Sequence, residues 1–355
     1  MAHPEMDRWT RFLRLTAVLA AAVAASAIVL IALLNPFGNL PGVLPFKLVD
    51  GSQRYLYPAV ARSGRYDSLV IGTSTARLLD PAHLEAAFGG RFANLAFNNG
   101  QAWEQAQIAE VFLRAVPRPR TLVVGLDYVW CTPKADSERT KAHFPFPAWQ
   151  YDDNPWNDLP HMFNRRTLAI AAEKLLHHAG LKAPLFGDNG FAVFTPPEGR
   201  YDAAKVEASL AAGRASRDGV PHADDVADAR LPPDAWRFPA LTWLDQLLAQ
   251  FGPSEEGRRR LLVFMPVHVA AQPLPGSPAA AREVACKEQI AAIGTRRGAI
   301  VIDFRIESQI TADDLNYWDA LHYRIGVAEA IVTGIRRAAD TGGNDPAGTW
   351  RVLGR

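Results

Sequence analysis

The chain has 355 residues, room for one large α/β domain with additions, and a composition ordinary for a globular protein. With 38 basic and 37 acidic residues its net charge is +1, and no basic stripe interleaved with aromatics stands out, which argues against nucleic acid as a partner. Its two cysteines, Cys131 and Cys286, form no CxxC and have no histidine at ligand spacing, which argues against a zinc site. They are either two unpaired thiols or, in a domain outside the cytoplasm, one disulfide.

Residues 1–14 are polar and carry Arg8, Arg11 and Arg14, whereas 15–34 hold no charge. A helix of that length rises about 30 Å, enough to cross the hydrocarbon core of a bilayer, so 15–34 is expected as a transmembrane helix. Arginines before the span and none just after it predict a cytoplasmic N-terminus. The chain is then a single-pass protein of the inner (cytoplasmic) membrane, with its main domain periplasmic or otherwise extracytoplasmic. A cleaved signal peptide is the rival. Its small residues, around Ala22 to Ala25, sit inside the apolar run rather than after it. Residues 35–65 read as a tether.

From 66 to 339 the pattern is that of an α/β domain. Strand 69–71 is followed by helix 81–88, and strand 92–96 leads to Phe97-Asn98-Asn99-Gly100. Helix 103–115 precedes strand 121–126, which ends at Asp127-Tyr128-Val129-Trp130. Such close alternation predicts a parallel sheet built by right-handed crossovers. It breaks over 131–236, expected as an insertion over the carboxyl edge of the sheet; its best helix is 164–178, with Asn164 as N-cap and Gly180 as stop. Alternation resumes with helix 239–251, strand 260–265 ending in Pro266-Val267-His268, helix 278–296, strand 299–302 ending in Asp303-Phe304, and helix 324–339. Residues 340–355 are expected as a flexible tail.

Two stretches carry chemistry. Gly72-Thr73-Ser74 ends the first strand and places a serine hydroxyl at the carboxyl edge, where open α/β sheets put their ligands. Asp319-Ala320-Leu321-His322 falls just before the last helix. An Asp and a His three apart can share one turn, the carboxylate holding the imidazole in one tautomer while its other nitrogen takes a hydroxyl proton. The local alternative for both stretches is helix capping.

Gly72-Thr73-Ser74, Asn94-Leu95-Ala96-Phe97-Asn98-Asn99-Gly100 and Asp319-Ala320-Leu321-His322, in that order, resemble the first, second and closing blocks of the SGNH/GDSL hydrolase superfamily. The resemblance covers the sheet core, roughly 67–127 and 260–339. It implies a three-layer α/β/α, flavodoxin-like fold with Ser74 as nucleophile, His322 as general base and acid, Asp319 as orienting carboxylate, and an oxyanion hole from the Ser74 and Gly100 N–H groups. The third block departs from the family, with Gly125-Leu126-Asp127 where Gly-x-Asn is expected. An ionised aspartate accepts hydrogen bonds and would repel an oxyanion. Three consequences stay open: Asn98 or Asn99 substitutes as donor, Asp127 organises the site structurally, or the site is catalytically weak. Thr73 also stands where many members have Asp. Both departures occur in membrane-anchored relatives that handle acyl groups on cell-surface polysaccharides, such as the alginate O-acetylation proteins and the D-alanyl-transfer proteins of teichoic acid.

The expected function is therefore serine esterase or O-acyltransferase chemistry on an acyl ester of a cell-envelope glycan or lipid. It needs no cofactor or metal and would be partnered by a membrane-bound acyltransferase or envelope complex. Arg77, Asp127 and His268 are candidate substrate contacts, Arg77 and His268 each with a structural alternative. Trp103, Trp130, Trp149 and Trp156 either stack on sugar rings or fill loops. The alternative function is a catalytically inactive subunit that kept the fold and binds a partner. A flavodoxin-like sheet with chance motif matches is the third possibility, in which Ser74 and His322 lie apart.

Overall fold

A computed structural model of the chain describes residues 4–40, 47–136, 145–218, 232, 235–252 and 257–354. Residues 1–3 of the expected N-terminal segment, 41–46 of the expected tether, and 137–144, 219–231 and 233–234 of the expected insertion lie outside the described residues. The elements in chain order are α1 (Pro4–Leu34), α2 (Gln53–Arg62), β1 (Ser68–Ile71), α3 (Pro81–Phe88), β2 (Phe92–Asn94), α4 (Ala102–Ala115), β3 (Thr121–Leu126) and α5 (Arg165–His178). There follow α6 (Ala203–Asp218), α7 (Ala240–Gln250), β4 (Arg259–Phe264), α8 (Pro278–Arg297), β5 (Ile300–Asp303), α9 (Gln309–Ala312), α10 (Ile325–Thr341) and β6 (Arg351–Gly354). Two compact units result, one of residues up to Ala59 with Pro147–Leu185, the other of Val60–Phe146 with Phe186 onward. The stretch 131–236 is divided between them.

The larger unit is α/β, with one six-stranded sheet in the order β2-β1-β3-β4-β5-β6. The first five strands are parallel, and β6 runs antiparallel to β5. The run Ser68-Leu69-Val70-Ile71 is buried along its whole length, as a strand inside a parallel sheet requires. Val70, Val123, Leu261, Val263 and Ile302 share one core with Leu84 and Phe88 of α3 and with Val327, Ile331 and Ile335 of α10. Each such side chain contributes about 1.5–3 kcal/mol by leaving water. α7 buries Leu241, Leu244, Leu247 and Leu248, the stripe its helical spacing predicts. The order reverses between β1 and β3, the switch point outside which open sheets bind ligands.

The expectation of a flexible tail over 340–355 is corrected. α10 runs to Thr341, and Arg351–Gly354 form the edge strand β6, with Val352 opposite Ile302. Trp350, 4% exposed, packs near Phe304 and anchors this strand in the core. Cys131 and Cys286 are bonded as a disulfide, which ties the loop after β3 to α8.

In the smaller unit, α1 contains Arg8–Leu34, a stretch of 27 residues long and apolar enough to cross a membrane or serve as a signal anchor. Leu15, Val18, Leu19, Val23 and Ile28 stand exposed along it. Its far end is covered, because Ile31 packs with Phe37, Met162 and Ile170 of α5. Lys174 of α5 is buried there and donates to the Asn35 carbonyl (2.9 Å) just past the end of α1. Burial lowers the pKa of its amine to about 8. Asn164 caps α5 as expected, accepting from the Thr167 N–H at 3.1 Å.

Candidate active site

Ser74 owes its place to two glycines. A Cβ on Gly72 would lie 2.6 Å from the Ala76 Cβ, and one on Gly125 would lie 2.5 Å from the same atom. Their absence lets Ala76 tuck between the ends of β1 and β3, and the 3₁₀ turn Ser74–Ala76 forms at the switch point. The buried Asn94 side chain holds this turn. Its amide donates to the Ala76, Arg77 and Leu79 carbonyls at 2.8–3.3 Å, and its oxygen accepts the Ala96 N–H at 3.1 Å. Capping of the next helix is done by Asp80 instead, which accepts from the Ala82 N–H.

The second stretch is a tight hairpin. Tyr317 bridges Tyr323, and the Trp318 N–H donates to the His322 carbonyl at 2.8 Å. Inside it, Asp319 Oδ1 accepts the Leu321 and His322 N–H groups (2.8 and 2.9 Å). α10 begins only at its N-cap Arg324, so Asp319 and His322 do not cap it. The Tyr323 hydroxyl donates to the Thr75 carbonyl, which ties the residue after His322 to the residue after Ser74.

Segments 248 residues apart in sequence therefore meet. The Ser74 Oγ lies 2.9 Å from His322 Nε2, and His322 Nδ1 lies 2.8 Å from Asp319 Oδ2. Burial raises the Asp319 pKa, but the bond and charge of His322 and the two N–H donors outweigh it, and the net shift is downward. An ionised carboxylate only accepts, so Nδ1 carries the ring proton and Nε2 is left to accept from the Ser74 hydroxyl. Phe194 packs edge-on against His322, with ring centroids 5.5 Å apart. This group opens on a cleft of about 640 Å³, with Val129, Phe194, Val267, Ala271, Pro273 and Leu321 as its apolar wall. Such an arrangement can draw a proton from a serine hydroxyl beside a mostly apolar pocket.

The remaining site expectations fare differently. Asn99 lines the cleft with Asn98, in a left-handed conformation (φ 47°) that asparagine tolerates. Gly100 is buried and set back from the cleft wall, though among the described residues neither its N–H nor that of Ser74 has a partner. Asp127 lines the cleft, but both of its oxygens are engaged. One accepts the Thr73 hydroxyl and the other the Val129 N–H at 3.2 Å, capping the turn Tyr128–Trp130. Burial raises its pKa, and the charge of Arg305 and these bonds offset that only in part.

Arg77 and His268, expected as substrate contacts, do not line the cleft. Arg77 is buried, donates to Asn98 Oδ1 at 2.7 Å and lies 4.3 Å from the Phe194 ring centre, so it braces the wall from behind. His268 is wholly buried. Its Nδ1 accepts the Ala270 N–H, its Nε2 faces Asp314 Oδ1 (3.0 Å), and its backbone N–H donates to the Ala320 carbonyl, so this residue holds the Asp319 hairpin in place. Trp130 is also in the core, donating to Gln105 at 3.1 Å, while Tyr128 stands exposed at the cleft rim. Among the described residues no group of His, Cys, Asp and Glu is arranged to hold a metal ion.

Sequence reasoning did not single out Asn94, Tyr323, Phe194 or Arg305 for the site. Asn94 carried a signal, a polar residue closing an otherwise apolar strand; the others show theirs only in three dimensions. No protein-family model matches the chain, and no curated protein sequence matches it.

Proposed function

We propose that the chain is a membrane-anchored extracytoplasmic serine esterase or O-acyltransferase of the SGNH type, acting on an acyl ester of a cell-envelope glycan or lipid. The observation that carries this reading is the Ser74–His322–Asp319 hydrogen-bonded chain at the mouth of an apolar cleft. The parallel 2-1-3-4-5 order supports the three-layer α/β/α fold of that superfamily. α1 serves as an uncleaved anchor with a cytoplasmic N-terminus, and the Cys131–Cys286 disulfide fits an oxidising compartment beyond it.

In the first step Ser74 Oγ bonds to the ester carbonyl carbon while its proton passes to His322 Nε2. The oxyanion that forms faces the free N–H of Ser74, with Asn98 and Asn99 at the cleft wall in place of the donor that position 127 lacks. Collapse breaks the ester C–O bond, and His322 returns the proton to the leaving alcohol. Water or a sugar hydroxyl then attacks the acyl-serine, again giving its proton to His322; collapse breaks the bond between the acyl carbon and Ser74 Oγ, and His322 returns the proton to Ser74. Water makes the protein an esterase, and a sugar hydroxyl makes it an acyltransferase that works beside a membrane-bound acyl donor.

The inactive partner-binding subunit has one observation in its favour, the acceptor-only Asp127 where a donor is expected. Acyl release from an acetylated glycan, or acyl transfer to it, by the full chain in detergent separates the two. Turnover lost in Ser74→Ala supports the enzyme, and no turnover in the wild type favours the subunit. Tyr323→Phe removes the tie between the two loops and is expected to lower turnover about 10- to 100-fold with the fold retained by circular dichroism, because small misplacements of reacting groups cost that much.

A further inference from the structure

We propose that the cleft holds an anion-binding subsite built on Arg305, so that the preferred substrate carries a carboxylate or phosphate near its acyl ester. This rests on the proposed esterase or acyltransferase chemistry and narrows its substrate class.

Arg305 follows β5 at the carboxyl edge of the sheet and lines the same cleft as Ser74 and His322. It is only 8% exposed and is held at three points. Its Nε donates to the Met265 carbonyl (3.1 Å), its backbone N–H donates to Asp303 Oδ1 (2.9 Å), and its carbonyl accepts from the buried Lys287 amine (3.0 Å). The last two bonds fix its backbone, and the Nε bond together with burial holds the side chain. Among the described residues its two Nη nitrogens have no hydrogen-bond partner. Of the carboxylates that share the cleft, Glu283 pairs with Lys287 at 2.8 Å, and Asp127 feels the charge of Arg305 but spends its hydrogen bonds on Thr73 and Val129.

The Nη donors of this nearly buried side chain open on the cleft and bond to no described protein group, so an oxyanion in the cleft completes their hydrogen bonds. The planar pair of Nη groups suits the bidentate geometry of a carboxylate or phosphate, and the fork is already immobilised, so little side-chain entropy is lost on binding. A neutral hydroxyl gives one weaker bond. Uronic acids would supply the carboxylate; phospholipid headgroups or sugar phosphates would supply the phosphate.

The test compares three acetyl esters with the acetyl group at one sugar position: a methyl glucoside, a methyl glucuronide and a methyl glucoside 6-phosphate. The full chain is expected to show kcat/KM about 10- to 100-fold higher for at least one anionic ester, chiefly through KM, as a charge-assisted pair provides. Which anion wins identifies the source. In Arg305→Gln the ratio of anionic to neutral kcat/KM falls to about one, and in Arg305→Lys part of it survives, since the charge stays and the fork is lost. A second measurement uses only the wild type: fluorophosphonate labelling of Ser74 is slowed by methyl glucuronide or methyl glucoside 6-phosphate and not by methyl glucoside. Equal kcat/KM for all three esters, a preference unchanged in Arg305→Gln, or no protection by either anion overturns the subsite while labelling at Ser74 leaves the enzyme reading intact. No labelling in the wild type overturns the enzyme reading itself.

Discussion

Ser74→Ala and His322→Ala are each expected to lower acyl turnover by about 10⁵- to 10⁶-fold, and the double variant no further, because members of such a unit are not additive. The reason lies in one proton. Without His322 Nε2 at 2.9 Å the Ser74 hydroxyl has, among the described residues, no hydrogen-bonded base, and without Ser74 the base has nothing to activate. Asp319→Asn is expected to cost less, about 10⁴-fold. The amide NH₂ can face Nδ1 and favour the wrong tautomer, which leaves Nε2 protonated and unable to accept. Steady-state rates of the three variants on one acetyl ester check this ordering. Equal, mild losses of a few fold in all three would mean that the hydrogen-bonded chain is structural.

Removal of the Cys131–Cys286 disulfide is expected to be the largest stability effect of any single covalent change. The bond spans a sequence separation of 155 residues, and closing so long a loop restricts the unfolded chain by up to about 5 kcal/mol. A loss of about 2–5 kcal/mol in Cys131→Ala/Cys286→Ala corresponds to a drop of roughly 4–10 °C in the unfolding midpoint. The effect reaches the cleft as well. Cys131 directly follows the turn capped by Asp127, and Cys286 lies one helical turn from Glu283, so both ends of the bond border cleft-lining residues. Reductant is therefore expected to lower both the midpoint and acyl turnover of the wild type and to leave the double variant unchanged. A wild-type midpoint insensitive to reductant would contradict this.

Much of the fold was legible because local pattern and tertiary role agree. Aliphatic runs such as Leu69–Ile71 have nowhere to go but the middle of a parallel sheet, and Asn164 and Gly180 bracket α5 as their chemistry dictates. β6 was hidden because Arg351-Val352-Leu353-Gly354 is short and follows Gly- and Pro-containing sequence; its strand character comes from pairing with β5 and from Trp350 in the core. The grouping of Pro147–Leu185 with the N-terminal segment rests on contacts such as Ile31 with Ile170 and Lys174 with the Asn35 carbonyl, which no periodicity encodes.

At the site, chain order and sheet-edge address brought Ser74, Asp319 and His322 into view, and their side chains do form one hydrogen-bonded chain. Address does not give direction. His268 and Arg77 stand at the same edge, yet Asp314 and Ala270 draw the one inward, and Asn98 and Phe194 hold the other behind the wall. Arg305 was passed over for the opposite reason, since nothing beside it in sequence shows that its donors reach the cleft unpaired.

The central claim is that Ser74 is a nucleophile armed by His322. Treating the full chain in detergent with a fluorophosphonate and mapping the adduct by peptide mass spectrometry tests it most directly. One adduct per chain on Ser74, absent in Ser74→Ala and strongly slowed in His322→Ala, is the expected result. An unmodified Ser74 peptide across the neutral pH range, or labelling that persists in Ser74→Ala, would contradict it.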